Sequence, residues 1–380
     1  MFIKRSISPI LLESKKSTLL LGPRQTGKST LIKKFKADLS INLADQEQFL
    51  AHLKNPALIK ELCPGHKTVF IDEVQRIPSL LNTLQHILDN EKNSPKFFLT
   101  GSSARKLRRG QANLLPGRII VHYLSPLLFK EIEKRFETSR ALSLGCLPGA
   151  WDNESSEKEW KKILRSYSAT YLKEEIQAEA LSRDLEGFSR FFEVMISRSG
   201  NFIDFTKFSS EAMISRSTAK RYFDIFSDTL LIHTLSAFKK SSRMRLVQHP
   251  RYYLFDVGVL NACLGNFKAS SDRIGNLFEH LFVQQIYSAA HASDREIRLT
   301  TFRNDKGSEV DFILEISDEV YAIELKASKN ISDHDTRGLK SFAKFYDKKH
   351  HSVIAYLGDK TRKNGEVSIL PWKKLLEKIF

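Results

Sequence analysis

Short apolar runs alternating with helix-period stretches set the rhythm of the first third of the chain. Leu19-Leu20-Leu21, the run LSINL at 39–43, Val69-Phe70-Ile71 and Phe97-Phe98-Leu99 are continuous enough to be strands buried on both faces. Between them, Leu31-Ile32-Phe35, Phe49-Leu50-Leu53 and Leu80-Leu81-Leu84-Ile87-Leu88 recur at helical spacing. Strand alternating with helix predicts an α/β fold with a parallel sheet. Residues 1–18 read as a lead-in helix with Ile7, Ile10 and Leu11 on its apolar side, and 46–62 as one helix despite Pro56.

The pattern then changes. Gly145, Pro148 and Gly149 mark a connector, an acidic patch covers 153–159, and 160–176 reads as a helix with Trp160, Ile163, Leu164, Tyr167 and Tyr171 as its stripe. Helices are expected over 188–196, from Asp204 to Phe208, and from Ser215 to Phe226, followed by strands at 229–235 and 252–255. That is the rhythm of a winged helix. A helix around 277–283 and period-two strands at 309–315, 320–326 and 353–357 complete the chain.

The first candidate chemistry lies directly after Leu21. Gly22, Pro23, Arg24, Gln25, Thr26, Gly27, Lys28, Ser29 and Thr30 satisfy the P-loop spacing between a strand and a helix. The glycines let successive backbone N–H groups turn toward a polyphosphate, and the helix N-terminus favours its charge. Lys28 would reach the β- and γ-phosphates, and Ser29 would offer a hydroxyl to Mg²⁺.

The run Val69-Phe70-Ile71 ends in Asp72-Glu73, a Walker B pattern at the carboxyl end of a buried strand. Asp72 would hold Mg²⁺ and Glu73 would act on the attacking water as general base. Thr100 or Ser102, after the next strand, could sense the γ-phosphate. Arg105, Lys106, Arg108, Arg109 and Arg118 form a basic stretch, either a solvated face or the source of an arginine finger for a neighbouring subunit.

GPRQTGKST, FIDEVQ, LTGSS, LPGRI and LSPLLFKEI occur in the order seen in a family of bacterial and archaeal AAA-type ATPases, and the chain resembles that family over nearly its whole length. GCLPGAW, SYSATYLKEEI, YYLFDVGVL, NLFEHLFV and EVDFILEI…AIELK also look like its landmarks. The resemblance implies ATP as the nucleotide and favours Arg118 as the residue acting in trans. It also implies a C-terminal domain of unknown function that looks like a restriction-endonuclease fold. Val257 departs from the family, which often has a small polar residue there.

With this resemblance, Asp311 followed by Glu324 and Lys326 on the adjacent strand matches the layout of PD-(D/E)xK nucleases. Asp311 and Glu324 would hold Mg²⁺, Glu279 could add a ligand, and Lys326 would position or deprotonate the water. Such a domain can cut DNA or serve as a binding or assembly module. The expected architecture is an AAA-type P-loop ATPase domain at 1–135, a helical linker or lid at 136–185, a winged helix at 186–265 and a nuclease-like α/β domain at 266–380.

Charge extends this picture. Lys and Arg number 60 against 44 Asp and Glu, a net +16, which favours a polyanion as partner. Ser215, Arg216, Ser217, Thr218, Lys220 and Arg221 at the start of the third helix would suit phosphates and base edges, with Lys239, Lys240, Arg243 and Arg245 as a basic wing. DNA is therefore an expected partner, docking against other domains the alternative use of the winged helix, and a homo-oligomer the setting for Arg118. No apolar run approaches the ~20 residues that span a bilayer, and Cys63, Cys146 and Cys263 are too scattered for a zinc site or disulfide framework. A cytoplasmic protein is expected. The readings left are an ATPase acting on DNA, a nucleotide-gated switch for a protein partner, and an oligomerising ATPase with an inactive C-terminal domain.

Overall fold

The computed structural model describes residues 2–91, 93–102, 117–152, 156–172, 184–239 and 249–380. Its first sheet consists of β1 (Ser17–Leu21), β2 (Leu39–Asn42), β3 (Thr68–Asp72), β4 (Lys96–Gly101) and β5 (Ile119–Tyr123). The order is β2-β3-β4-β1-β5, and every pair is parallel. The continuous apolar runs follow from burial on both sides. Leu19, Leu21, Ile71 and Leu99 face one core with the helix Leu80–Asn90, whereas Leu20, Phe70 and Phe98 face a second with Ile7, Leu11, Leu31 and Ile32.

Three expected helices differ in the structure. The lead-in helix expected over 1–18 is confined to Ser8–Glu13, and Ser17 already belongs to β1. Residues 46–62 form Gln46–Lys54 and Leu58–Leu62, separated around Pro56. Asn55 leaves the helical region at φ −135° and ψ 84°, as the residue before a proline tends to. The helix expected over 160–176 begins earlier, as Glu157–Ser166, because Ser156 and Glu159 close a capping box at its start. From Tyr167 to Leu172 it widens into a π-helix, and 173–183 lie outside the described residues.

The middle region contains the helices Leu185–Ser197, Phe205–Glu211 and Arg216–Asp228, each with its N-cap acid or serine in place. Phe188, Phe191, Tyr222 and Phe226 join the first and third of these through ring contacts. β6 (Ile232–Leu235) and β7 (Arg251–Leu254) pair antiparallel. The wing residues Lys240, Arg243 and Arg245 fall outside the described residues.

The C-terminal region is a second α/β unit. β8 (Ile297–Arg303), β9 (Glu309–Ile316), β10 (Glu319–Lys326), β11 (His351–Tyr356), β12 (Arg362–Asn364) and β13 (Val367–Pro371) form a sheet in the order β12-β13-β11-β10-β9-β8. β8, β9 and β10 are antiparallel neighbours, and β10, β11 and β13 are parallel. Tyr321, Ile323 and Leu325 pack in the core of the helices Ile274–Ala292 and Trp372–Ile379. Val320 and Ala322 pack in that of Arg337–Tyr346, so the alternation along β10 separates two buried layers.

Polar contacts lock this unit to the segment after β5. Gln285 accepts from the Phe129 amide at 2.8 Å and donates to the Leu127 carbonyl at 2.9 Å, and Ser288 donates to Pro126 at 3.0 Å. A 19-residue helix with Gln285, Ser288 and His280 buried in its length would be costly without such partners.

Candidate functional site

Lys28, Ser29, Asp72 and Glu73 converge because β1 and β3 run parallel and end at the same edge. β4 lies between them, so Thr100 at its end stands beside both acids. Ser29 Oγ donates to Asp72 Oδ1 at 2.7 Å, and Thr100 Oγ1 donates to the same oxygen. The Glu73 amide donates to Thr100 Oγ1 at 3.2 Å. Glu73 itself has φ 58° and ψ 44°, a left-handed conformation uncommon for a glutamate. Its carboxylate accepts from Gln75 Nε2 and from Ser102 Oγ at 3.4 Å.

The loop ahead of Lys28 is shaped by its own carbonyls. Lys28 is 5% exposed and its Nζ donates to the Gly22 and Pro23 carbonyls, both at 2.9 Å. Thr26 Oγ1 also donates to Pro23, at 2.8 Å. A side chain at Gly22 would place Cβ 2.3 Å from the Leu124 carbonyl, so only glycine lets β1 turn there. Gly27 has φ +91°.

These groups border a cleft of about 610 Å³, lined by Arg24, Gln25, Gly27, Lys28, Ser29, Thr30 and Glu73 and closed by Ile163, Ser166 and Tyr167. Gly22, Pro23 and Thr26 support the loop from beneath. Ser102 touches Glu73 and Gln75 and does not line the cleft. The donors fit Mg²⁺, since a hydroxyl and a 5%-exposed carboxylate meet at the cleft's phosphate end, and Mg²⁺ prefers hard oxygen ligands.

Sequence reasoning missed several contributors. Ile163 and Tyr167 carried only the signal of an apolar helix stripe, and Ser166 carried none. Arg5 donates to the Thr26 carbonyl at 2.7 Å and to the Ser125 carbonyl at 2.7 Å, and pairs with Glu131 at 3.0 Å. Burial pulls its pKa down while Glu131 opposes this. Nothing in the pattern around Arg5 distinguishes it from the chain's other cations. Gln75 was visible as the end of FIDEVQ, though its contact with Glu73 was not.

Arg118 does not approach its own cleft. Ser17 pairs with Ile119 and Leu21 with Tyr123, so Arg118 sits at the start of β5, a strand's length from the P-loop end. Its guanidinium pairs with Asp89 on the helix Leu80–Asn90. Arg105, Lys106, Arg108 and Arg109 lie outside the described residues. In the middle region, Arg216, Ser217, Lys220 and Arg221 are exposed around the start of their helix.

The C-terminal constellation differs from the expected metal centre. Asp311 Oδ2 accepts from the Leu325 amide at 2.8 Å, and Lys326 Nζ lies 2.9 Å from Glu324 and 3.5 Å from Asp335. Glu279 accepts from the Tyr253 hydroxyl at 2.9 Å. Arg251 enters between these acids, with Nη1 3.8 Å from Glu279 and 4.0 Å from Asp311, and Nη2 3.5 Å from Glu309. Among the described residues no group of three His, Cys, Asp or Glu side chains is arranged to hold a metal. The proposed set Glu279, Asp311 and Glu324 therefore does not fit Mg²⁺ in this arrangement, because a guanidinium already serves two of its carboxylates. Burial first, and then Asp311, raise the pKa values of Glu279 and Glu324; burial also raises that of Asp311. Burial acts to lower Arg251, but Tyr253, Glu279 and Asp311 outweigh it and raise its pKa.

Comparison with known proteins agrees with the site in the first third. A family model described as an AAA domain matches residues 14–133. Two domains of unknown function, DUF8612 and DUF4143, match 135–270 and 274–375. An uncharacterized protein of Mycobacterium tuberculosis is 24% identical, covering 83% of this chain and 71% of its own length. One of Methanocaldococcus jannaschii is 25% identical, covering 82% and 75%. Among solved structures, the Signal Transduction ATPase with Numerous Domains protein with a tetratricopeptide repeat sensor from Pyrococcus horikoshii aligns at 12% identity with a TM-score of 0.26. That alignment covers 77% of this chain and 47% of the other, so the chain spans about half its length. The chain thus carries an AAA-type P-loop ATPase domain at 14–133 and a DUF4143 domain at 274–375. Among the described residues no helix is long and apolar enough to cross a membrane.

Proposed function

We propose that the chain is a Mg²⁺-dependent ATPase whose nucleotide state acts on its middle and C-terminal regions, with DNA as the partner. One observation carries the ATPase reading: Lys28, Ser29 and Glu73 line a single cleft, with Asp72 bonded to Ser29. Ser29 and Asp72 would hold Mg²⁺, which would supply positive charge against the β- and γ-phosphates. Lys28 would leave the Gly22 and Pro23 carbonyls for the phosphates. Glu73, oriented by Gln75 and Ser102, would take the proton of the attacking water.

ATP hydrolysis by the full chain, with Lys28→Ala beside wild type, tests this reading. Loss of turnover in the variant is the expected result; near-normal turnover would remove the site assignment.

The DNA reading rests on the exposed Arg216, Lys220 and Arg221 around one helix start and on the net charge of +16. Binding through them falls steeply as salt rises, since phosphate contacts release counterions. Salt-insensitive, weak binding would favour a switch that recognises a protein. Plasmid and linear DNA incubated with Mg²⁺ or Mn²⁺, with and without ATP and beside Asp311→Ala, reads whether the C-terminal domain cuts.

Arg118 belongs to an oligomeric form of this reading. Paired with Asp89 at the start of β5, away from its own cleft, it would act on a neighbour's cleft. An ATPase rate per chain that rises with protein concentration, and a loss of that rise in Arg118→Ala, are expected.

A further inference from the structure

A second cleft, of about 380 Å³, opens where β5 meets the end of the helix Ile274–Ala292 and the start of β8. It shares no lining residue with the nucleotide cleft. Tyr123 of β5 and Tyr287 and His291 of the helix form a wall of rings. His291 stacks on Tyr123 with centroids 5.3 Å apart, and Tyr287 stacks on His233 of β6 at 4.0 Å. Nδ1 of His291 lies 2.7 Å from the Ser125 hydroxyl. Burial pulls the pKa of His291 down to about 4, against Asp294, so this ring is neutral at neutral pH.

β5 also brings His122 to the cleft, 3% exposed. Its Nδ1 lies 3.0 Å from Asp294 Oδ1. A carboxylate only accepts, so the ring hydrogen sits on Nδ1, and Nε2 of the neutral ring carries a lone pair. That Nε2 is buried without a hydrogen-bond partner, a costly state for a polar atom. Asp294 and Glu296 are exposed and also line the cleft, and Glu296 makes no ion pair among the described residues. Arg295, between them, is already engaged. Its Nη1 donates to the Ile379 carbonyl at 2.7 Å and its Nη2 to the Ser317 hydroxyl at 3.3 Å. The cleft thus offers a histidine lone pair and two carboxylates beside a wall of rings.

We propose that this cleft binds a small organic cation of the guanidinium or amidinium type. One N–H of the cation meets His122 Nε2, and the others meet Asp294 and Glu296. A planar, delocalised cation suits the place because it is weakly hydrated and lies readily against aromatic rings. Its N–H groups make charge-assisted bonds to carboxylates. An anion would instead face both acids at close range. The bound cation touches β5 on one side and the C-terminal unit on the other, so it stabilises their junction.

The inference is independent of the ATPase reading, and its test contains no nucleotide. Agmatine, a guanidinium, and benzamidine, an amidinium, are titrated calorimetrically into the full chain, with inorganic phosphate as the anionic comparison. The variants are Glu296→Gln, Asp294→Asn and His122→Phe. Wild type should bind agmatine or benzamidine saturably and should not bind phosphate through His122. Glu296→Gln and Asp294→Asn should each weaken the cation at least about tenfold, the order of one charge-assisted hydrogen bond. His122→Phe should weaken it at least as much. If His122→Phe fails to fold, the two acid variants decide alone, since both side chains are exposed. Three results overturn the proposal: no saturable binding of either cation by wild type, an affinity unchanged in both acid variants, or phosphate binding that His122→Phe removes.

Discussion

Ser29 donates its hydroxyl hydrogen to Asp72 at 2.7 Å. The bond ties the loop after β1 to the end of β3 across the intervening β4, and it holds together the two oxygen donors that suit Mg²⁺. Ser29→Ala should therefore weaken Mg²⁺-dependent ATP binding while leaving Mg²⁺-free binding nearly intact. A fluorescent ATP analogue titrated with and without Mg²⁺ measures this; the expected loss is about tenfold, the order of one charge-assisted hydrogen bond.

Glu73→Gln should separate binding from turnover. The amide keeps the shape but cannot take a proton, so ATP should bind with near wild-type affinity while kcat falls about 10²- to 10⁴-fold. Single-turnover hydrolysis beside equilibrium binding checks both halves. Unchanged kcat would move the base elsewhere.

Ile163 and Tyr167 line the same cleft as the phosphate loop, and in the proposed reading they would meet the base and ribose. Ile163→Asp or Tyr167→Ala should weaken ATP by about tenfold, the scale of one lost apolar or aromatic contact. Neither should change the affinity for inorganic tripolyphosphate. Competition binding with the two ligands makes the distinction, and equal losses on both would place these residues at the phosphates.

Arg5 is a stability residue with a functional neighbour. It is 5% exposed and bonded to Thr26, Ser125 and Glu131. Arg5→Met leaves the Thr26 and Ser125 carbonyls without this donor and Glu131 without its counter-charge, although Glu131 still accepts from the Ser6 and Leu128 amides, and it should destabilise the fold by about 3 kcal/mol. Denaturant unfolding reads the loss.

His280 predicts an acid-side instability. It is fully buried between Ser199 and Asn276, and burial pulls its pKa from 6.5 to about 4, against the opposing Asn276 carbonyl. A histidine lowered on folding gives its full stability above its unfolded value, and loses it as pH falls from 6.5 toward 4. A shift of this size corresponds to roughly 3 kcal/mol. In His280→Gln the difference in unfolding free energy between pH 7 and pH 4.5 should shrink by up to that amount.

Much of this was legible in the chain. Gly22, Gly27, Lys28 and Ser29 after a leucine run, and Asp72-Glu73 after a β-branched one, announce their positions because spacing alone forces them to strand ends. The alternation around Glu324 and Lys326 likewise puts both on one side of β10. Asp204 and Ser215 announce helix starts because a cap acts on neighbours two or three residues away.

Contacts between distant segments were not legible. Pro56 and the Ser156 capping box carried local signals that helical periodicity overrode. Arg5 beneath Thr26, Tyr167 beside the P-loop, Arg118 on Asp89 and Arg251 among Glu279, Glu309 and Asp311 join residues far apart in the chain. The sequence determined which strands form, which ends carry the phosphate chemistry and which side chains share a face, because these follow from period and local sterics. Only the tertiary structure decided what faces each of those groups. A lysine, an arginine or a carboxylate has the same local pattern whether its partner is solvent, a ligand or another part of the chain.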